Sequence, residues 1–138
     1  IMPVNEKETP TDVSSLEWES VAQRNKSLLD SFVEILLHWE GNKGYDKARQ
    51  TLMDEWGFAE NSQLLSVFMP EDDGDKNMKP EEKYSMYELS NDGKNVSYFL
   101  ICTVHSTINK HSADGTVGIR LTINEDGTMS NVTAQTLS

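Results

Sequence analysis

The sequence predicts an α+β domain in which three N-terminal helices pack on a four-stranded antiparallel sheet. Apolar residues recur at helical spacing through the first half of the 138-residue chain, whereas in the second half they alternate with polar residues. The turns of the second half are too short for the crossovers that parallel strands require. The strands are therefore antiparallel neighbours, and the apolar stripe of the helices covers one face of the sheet.

Residues 1–13 are predicted to form a flexible lead-in, and residues 14–138 a single α+β domain. The lead-in is polar and contains Pro3 and Pro10, which is typical of an extended segment. Such a segment is what remains when a domain is cut away from an N-terminal anchor. It is equally what an ordinary frayed terminus looks like. No apolar run reaches the 18 residues of a membrane span, and no signal-peptide pattern is present.

The first helix is predicted to be long and capped at both ends. Ser14 and Glu17 fit a capping box, Val13 and Trp18 a hydrophobic staple, and Gly41 a C-terminal stop. Its apolar residues form one stripe at helical spacing over about 25 residues. The stripe consists of Trp18, Val21, Ala22, Leu28, Leu29, Phe32, Ile35, Leu36 and Trp39.

Two shorter helices are predicted to follow the long one. One covers Tyr45–Trp56, with its apolar residues on one face and Gly57 at its end. The other begins at a cap on Asn61 or Ser62 and is stopped by Pro70, which cannot continue a helix.

Negative charge is concentrated after the second helix. Residues 54–82 carry nine acidic and two basic residues, which is −7 of the net charge of −11. This balance argues against nucleic-acid binding and against binding to anionic membranes, since both need clustered Lys and Arg. Glu71–Lys83 is predicted to be a polar loop without the spacing of an EF-hand calcium site. Its acids are a candidate docking region or serve only solubility: Glu71, Asp72, Asp73 and Asp75.

Four strands are predicted from period-two alternation and turn signals. They are Tyr84–Leu89, then a long strand over 96–108, then Val117–Ile123 after a loop containing Asp114 and Gly115, and finally Met129–Thr136. The long strand places one apolar set toward the helices: Val96, Tyr98, Leu100, Cys102, Val104 and Ile108.

Phe99 and Ile101 lie on the opposite face of the long strand and are the candidate interaction patch. Exposed apolar patches on a folded domain often mark contact sites, although another segment of the chain could equally cover these two residues.

No residue pattern indicates catalysis, a cofactor or a metal ion. His38, His105 and His111 lack metal-ligand spacing and are interpreted as ordinary surface or boundary residues. Cys102 is the single cysteine, which excludes an internal disulfide and a cysteine-based zinc site. Its neighbours on the strand are apolar, so we expect it to act as a small hydrophobe.

The order of elements resembles the nuclear-transport-factor-2-like, or cystatin-like, fold, in which the helices pack on a strongly curved sheet. Two features carry a closer resemblance over 14–134: the segment Tyr45–Leu52 after a helix ending in Trp39, and the closing hairpin Val117–Val132 with its turn Glu125–Gly127. Together they look like the extracytoplasmic domain of the bitopic scaffold subunit of Gram-positive conjugative type IV secretion systems.

This resemblance implies a non-enzymatic scaffold domain on the extracytoplasmic side of the cell membrane. Such a domain would be tethered by a transmembrane helix outside this sequence, form homo-oligomers and contact other channel subunits, without binding DNA directly.

Two alternatives remain open. A small-molecule-binding or catalytic domain of the same fold would need a polar cluster in the cavity between helix and sheet, for which the candidates are Asp46, Tyr84, Tyr98 and His105. A surface lipoprotein domain is the second alternative.

Overall fold

A computed structural model describes the backbone of residues 13–138 and the side chains of residues 20–138. Two helices, α1 (Val13–Leu37) and α2 (Gly41–Asp54), are followed by a π-helical turn, Leu64–Phe68. Five strands come next: β1 (Lys76–Pro80), β2 (Ser85–Asn91), β3 (Val96–Ile108), β4 (His111–Ile123) and β5 (Met129–Thr136). The predicted α+β class, with helices before a curved antiparallel sheet, is confirmed.

All five strands form one sheet built around β3 and β4. β5 pairs with β4, whereas β1 and β2 lie end to end along the other side of β3. The sheet therefore has one strand more than predicted, because Lys76–Pro80 lies within the segment expected to be a loop. Its residues, Lys-Asn-Met-Lys-Pro, show no apolar alternation; they become a strand because β3 extends beyond β2 and offers them a backbone partner.

The hairpin of β3 and β4 is longer than predicted. Its turn lies at Asn109 and Lys110, which both have positive φ (51° and 73°), as a two-residue hairpin turn requires. The prediction of a loop at Asp114 and Gly115 was wrong, because these residues pair with β3. Asn-Lys lacks the glycine that usually signals this turn, so the sequence pattern did not reveal it.

The helix ends also differ from the prediction. α1 ends at Leu37, and Trp39 then exchanges two backbone hydrogen bonds with Met78 (2.9 Å each) as a bridge beside β1. Gly41, with φ +70°, opens α2 rather than stopping α1. Ser14 is already helical, so it lies inside α1; the side-chain contacts predicted for residues 13–18 fall outside the described residues.

The third helix is only the five-residue π-helical turn. Its start is close to the prediction, since the Ser62 hydroxyl accepts a hydrogen bond from the backbone N–H of Leu65 (3.3 Å). Pro70 follows the turn directly after Met69, as expected.

The core lies between α1, α2 and the inner face of the sheet. Leu29, Phe32 and Leu36 of the predicted helical stripe are fully buried, as are Leu100 and Ile119 of the sheet. The inward set of β3 is confirmed from Val96 to Val104. Ile108 is the exception at 39% exposed; it is the last residue of β3, directly before the hairpin turn.

Candidate interaction surface

The face of the sheet that points away from the helices, here called the outer face, carries both predicted patch residues. Phe99 and Ile101 are half-buried on it. In the register of the sheet, Phe99 lies between Tyr87 of β2 and Arg120 of β4, while Ile101 lies beside Gly118 of β4. The predicted side of the strand is therefore confirmed, but neither residue is fully exposed by itself.

Gly118 is buried beneath the side chains of Phe99 and Leu137. A Cβ atom at this position would lie 2.9 Å from Leu137 Cδ1 and 3.1 Å from Phe99 Cζ, so both side chains occupy the space over the glycine. The Leu137 N–H donates to the Thr116 carbonyl (2.7 Å), which holds the chain end on the sheet.

We define the outer apolar patch as Tyr87, Phe99, Ile101 and Leu137. Tyr87 is 53% and Leu137 43% exposed, so the patch presents apolar surface to solvent. Tyr87 and Leu137 were not predicted to belong to the patch, although Tyr87 lies in a predicted strand and only its pairing partner was unknown.

Two of the three outer strand edges are each contacted at one residue by another segment of the chain. Gln63 exchanges two hydrogen bonds, both 3.0 Å, with the backbone of Ala134 in β5, and Trp39 bridges the edge of β1. Within residues 13–138, no strand or bridge pairs with the second edge of β2. All seven residues of β2 are exposed, including Met86 and Leu89. An open edge with apolar side chains is a template for pairing with another strand.

The acidic loop before β1 folds around a buried lysine. The Lys76 ammonium donates to the carbonyl of Gly74 (2.8 Å), lies 3.4 Å from Asp72 Oδ1 and sits 4.8 Å over the ring of Tyr45. Of the candidate docking acids, Asp72 is engaged in this internal contact; all four remain exposed, the others being Glu71, Asp73 and Asp75.

We expect acid to loosen this loop. The backbone N–H of Gly74 and then the Lys76 ammonium lower the pKa of Asp72. A lowered pKa in the folded chain gives stabilisation that is present above the ordinary aspartate pKa, about 3.9, and is lost as the pH falls through the lower folded value. An NMR titration of the Asp72 carboxyl should give a midpoint below 3.9 that rises in the Lys76→Met variant. An unchanged midpoint in that variant would contradict the role given to Lys76.

The polar end of the outer face holds a cluster that the sequence analysis did not anticipate. His105 and Asp114 are direct partners across β3 and β4, and His105 Nδ1 lies 2.7 Å from Asp114 Oδ1. This contact lowers the pKa of Asp114. Glu81, just after β1, brings a carboxylate to the same place. The pairing was hidden because it depends on the unpredicted turn between the strands.

A shallow cleft of about 250 Å³ adjoins this cluster. His38 and Lys79 line it together with His105. His38 Nδ1 lies 2.6 Å from Glu34 Oε2, so each of these two histidines has its own carboxylate partner.

The structure does not bring together the residues proposed for an internal pocket. The Tyr98 hydroxyl accepts a buried hydrogen bond from Asn25 (3.0 Å), and the Tyr84 hydroxyl donates to Asp30 (2.6 Å). His105 lies on the outer face, and Asp46 is exposed on α2.

Cys102 is buried in the core, and burial raises the pKa of its thiol to about 11. This agrees with the small hydrophobe that was predicted.

Comparison of the chain with protein-family models, with curated proteins and with solved structures finds no match. Among the described residues, no helix is both long and apolar enough to cross a membrane.

Proposed function

We propose that this domain is a non-enzymatic scaffold module that acts through protein–protein contacts and associates with a second copy of itself. The observation that carries the proposal is the outer apolar patch together with the open edge of β2. Tyr87 belongs to both, so a partner strand that pairs with the edge of β2 also places its own outer apolar patch beside this one.

Charge favours β2 as the place where two copies meet. Each chain carries −11, so copies repel unless they meet where charge is sparse. Glu88 is the only charged residue of β2. In an antiparallel pair centred on Tyr87, Glu88 lies opposite Met86 of the partner subunit, so that no like charges oppose each other within the strands.

The wider assignment rests on the resemblance of the element order. We propose a nuclear-transport-factor-2-like fold and a place on the extracytoplasmic side of the cell membrane, within a conjugative type IV secretion channel. Other channel subunits are the further partners, and the acidic loop is a second surface for them. The sequence upstream of Ile1 tests this placement: it should encode a transmembrane helix, and a complete protein starting at Met2 would contradict it.

Self-association is tested by analytical ultracentrifugation over a wide concentration range. We expect the wild-type chain to dimerise, and Phe99→Ser or Ile101→Ser to weaken the dimer by at least about tenfold, because each removes apolar surface from the patch that adjoins the paired strands. Tyr87→Lys should abolish pairing, since lysine on an edge strand opposes strand addition.

Val67→Ser is the matched control, because Val67 is 67% exposed on the π-helical turn, away from the outer face. Its dimer should be as strong as that of the wild type. A wild-type chain that stays monomeric at high concentration would overturn the proposed self-association, and so would equal effects of the control and patch variants.

A further inference from the structure

We propose that Glu81, His105 and Asp114 form a binding site for a divalent transition-metal ion of the Zn²⁺ type. The three side chains come from separate segments: Glu81 directly follows β1, His105 lies in β3 and Asp114 lies in β4. Their potential ligand atoms all lie within 4.8 Å of one another. The inference concerns the polar end of the outer face and does not depend on the proposed self-association.

The backbone holds two of the three residues in place for a common ligand. His105 and Asp114 are paired residues on adjacent strands. Glu81 is fastened to the same sheet, because its N–H donates to the Thr103 carbonyl (2.9 Å). Cross-strand neighbours on one face have Cβ atoms about 5 Å apart, which is close enough for two side chains to share an ion.

The remaining adjustment is small. Zinc binds nitrogen and oxygen ligands at about 2.0–2.2 Å, so the donors of a tetrahedral site lie about 3.5 Å apart. His105 Nδ1 and Asp114 Oδ1 must therefore separate by about 0.8 Å, and the most distant pair of donors must approach by at most about 1.3 Å. Glu81 and Asp114 are exposed, so rotation of their side chains can supply this movement without disturbing the core.

The charges of the cluster also favour a cation. Two carboxylates converge on one imidazole, and their repulsion is relieved when a positive ion binds between them. The ionisable neighbours on this face are Lys79, in register with His105, and Glu82, which accepts a hydrogen bond from Thr103 (3.1 Å). Lys79 opposes a metal ion and Glu82 favours it, and Glu40, which lines the adjoining cleft, adds a further negative charge.

The donor set selects the kind of metal. Calcium and magnesium take oxygen ligands, whereas an imidazole nitrogen with two carboxylates suits zinc and similar ions. Three protein ligands leave a fourth position for water or for a donor from another molecule. Of the three ligands, His105 also lines the open cleft beside the cluster.

The site is tested by titrating the complete chain with ZnCl₂ after treatment with EDTA, using isothermal titration calorimetry and thermal unfolding. We expect one Zn²⁺ per chain and a rise in the thermal midpoint, since an ion that binds only the folded chain stabilises it. His105→Gln and Glu81→Gln should each weaken binding by at least about tenfold. Mg²⁺ and Ca²⁺ should leave the midpoint unchanged.

His111→Gln is the matched control, because His111 lies at the tip of the same hairpin and is not in the cluster. It should bind zinc as the wild type does. Equal loss in His111→Gln and His105→Gln, or undiminished binding in His105→Gln, would overturn the proposal. NMR of the wild-type imidazoles provides a readout that does not depend on the folding of a variant: zinc must shift the His105 ring signals, and unshifted signals would also overturn it.

Discussion

Replacement of Phe32 by Ala is expected to lower the free energy of unfolding by about 3–5 kcal/mol. Phe32 is fully buried on α1, and its ring lies 5.6 Å from that of Trp56 and 5.8 Å from that of Phe58, centre to centre. Removing the ring leaves a cavity and ends both aromatic contacts, which contribute beyond their buried area.

Urea denaturation followed by circular dichroism measures this loss. Domains of this size are typically stable by about 5–15 kcal/mol, so a loss at the upper end of the expected range would unfold the least stable of them. Phe32→Leu should show a smaller loss in the same direction and serves as the second variant. Val67→Ala is the control and should change stability by less than about 0.5 kcal/mol, because its side chain is exposed. A loss below about 1 kcal/mol for Phe32→Ala would contradict the described core.

Replacement of Lys76 by Met is expected to cost about 2 kcal/mol. The side chain of Lys76 is only 7% exposed, and its ammonium joins the acidic loop to the ring of Tyr45. The Lys76 ammonium also donates to the backbone carbonyl of Asp72 (3.4 Å). Methionine keeps the apolar stem but leaves this carbonyl and that of Gly74 without their donor. The loss combines hydrogen bonds from a charged group with a cation–π contact, partly offset because no ammonium has to be desolvated.

Lys79→Met is the matched control, since Lys79 is an exposed lysine on the same strand. We expect it to change the urea midpoint little. Hydrogen exchange at the Gly74 and Asn109 amides reports on the loop directly, because Asn109 donates to the Asp75 carbonyl (2.9 Å). Faster exchange only in Lys76→Met is the expected result; equal exchange in both variants would show that Lys76 does not organise the loop.

The local spacing of apolar residues was sufficient to predict most of the helices and strands. The stripe containing Leu29, Phe32 and Leu36 predicted α1 and its buried face, because helical spacing places these residues on one side whatever they contact. The alternation from Val96 to Val104 predicted both the strand and the side that faces the core. These features follow from the spacing of the apolar residues along the chain alone.

Long-range pairing was not predictable in the same way. β1 has no apolar period of its own and exists because β3 is long enough to pair with it. Lys76 stood in a polar segment, and nothing local indicates that its ammonium lies over the ring of Tyr45, 31 positions earlier in the chain. Such contacts depend on which segments the fold brings together.

The outer apolar patch and the His105 cluster show the same difference between what local pattern predicts and what long-range pairing decides. The side on which Phe99 and Ile101 lie was predicted from alternation, since successive side chains of a strand point to opposite faces. Two further features could be known only from the register of the strands. Tyr87 and Leu137 complete the patch, and His105 lies close to Asp114 and Glu81. Periodicity determines which face a residue occupies, whereas its neighbours on that face depend on strand register. Register depends on turn geometry and on packing across the whole domain.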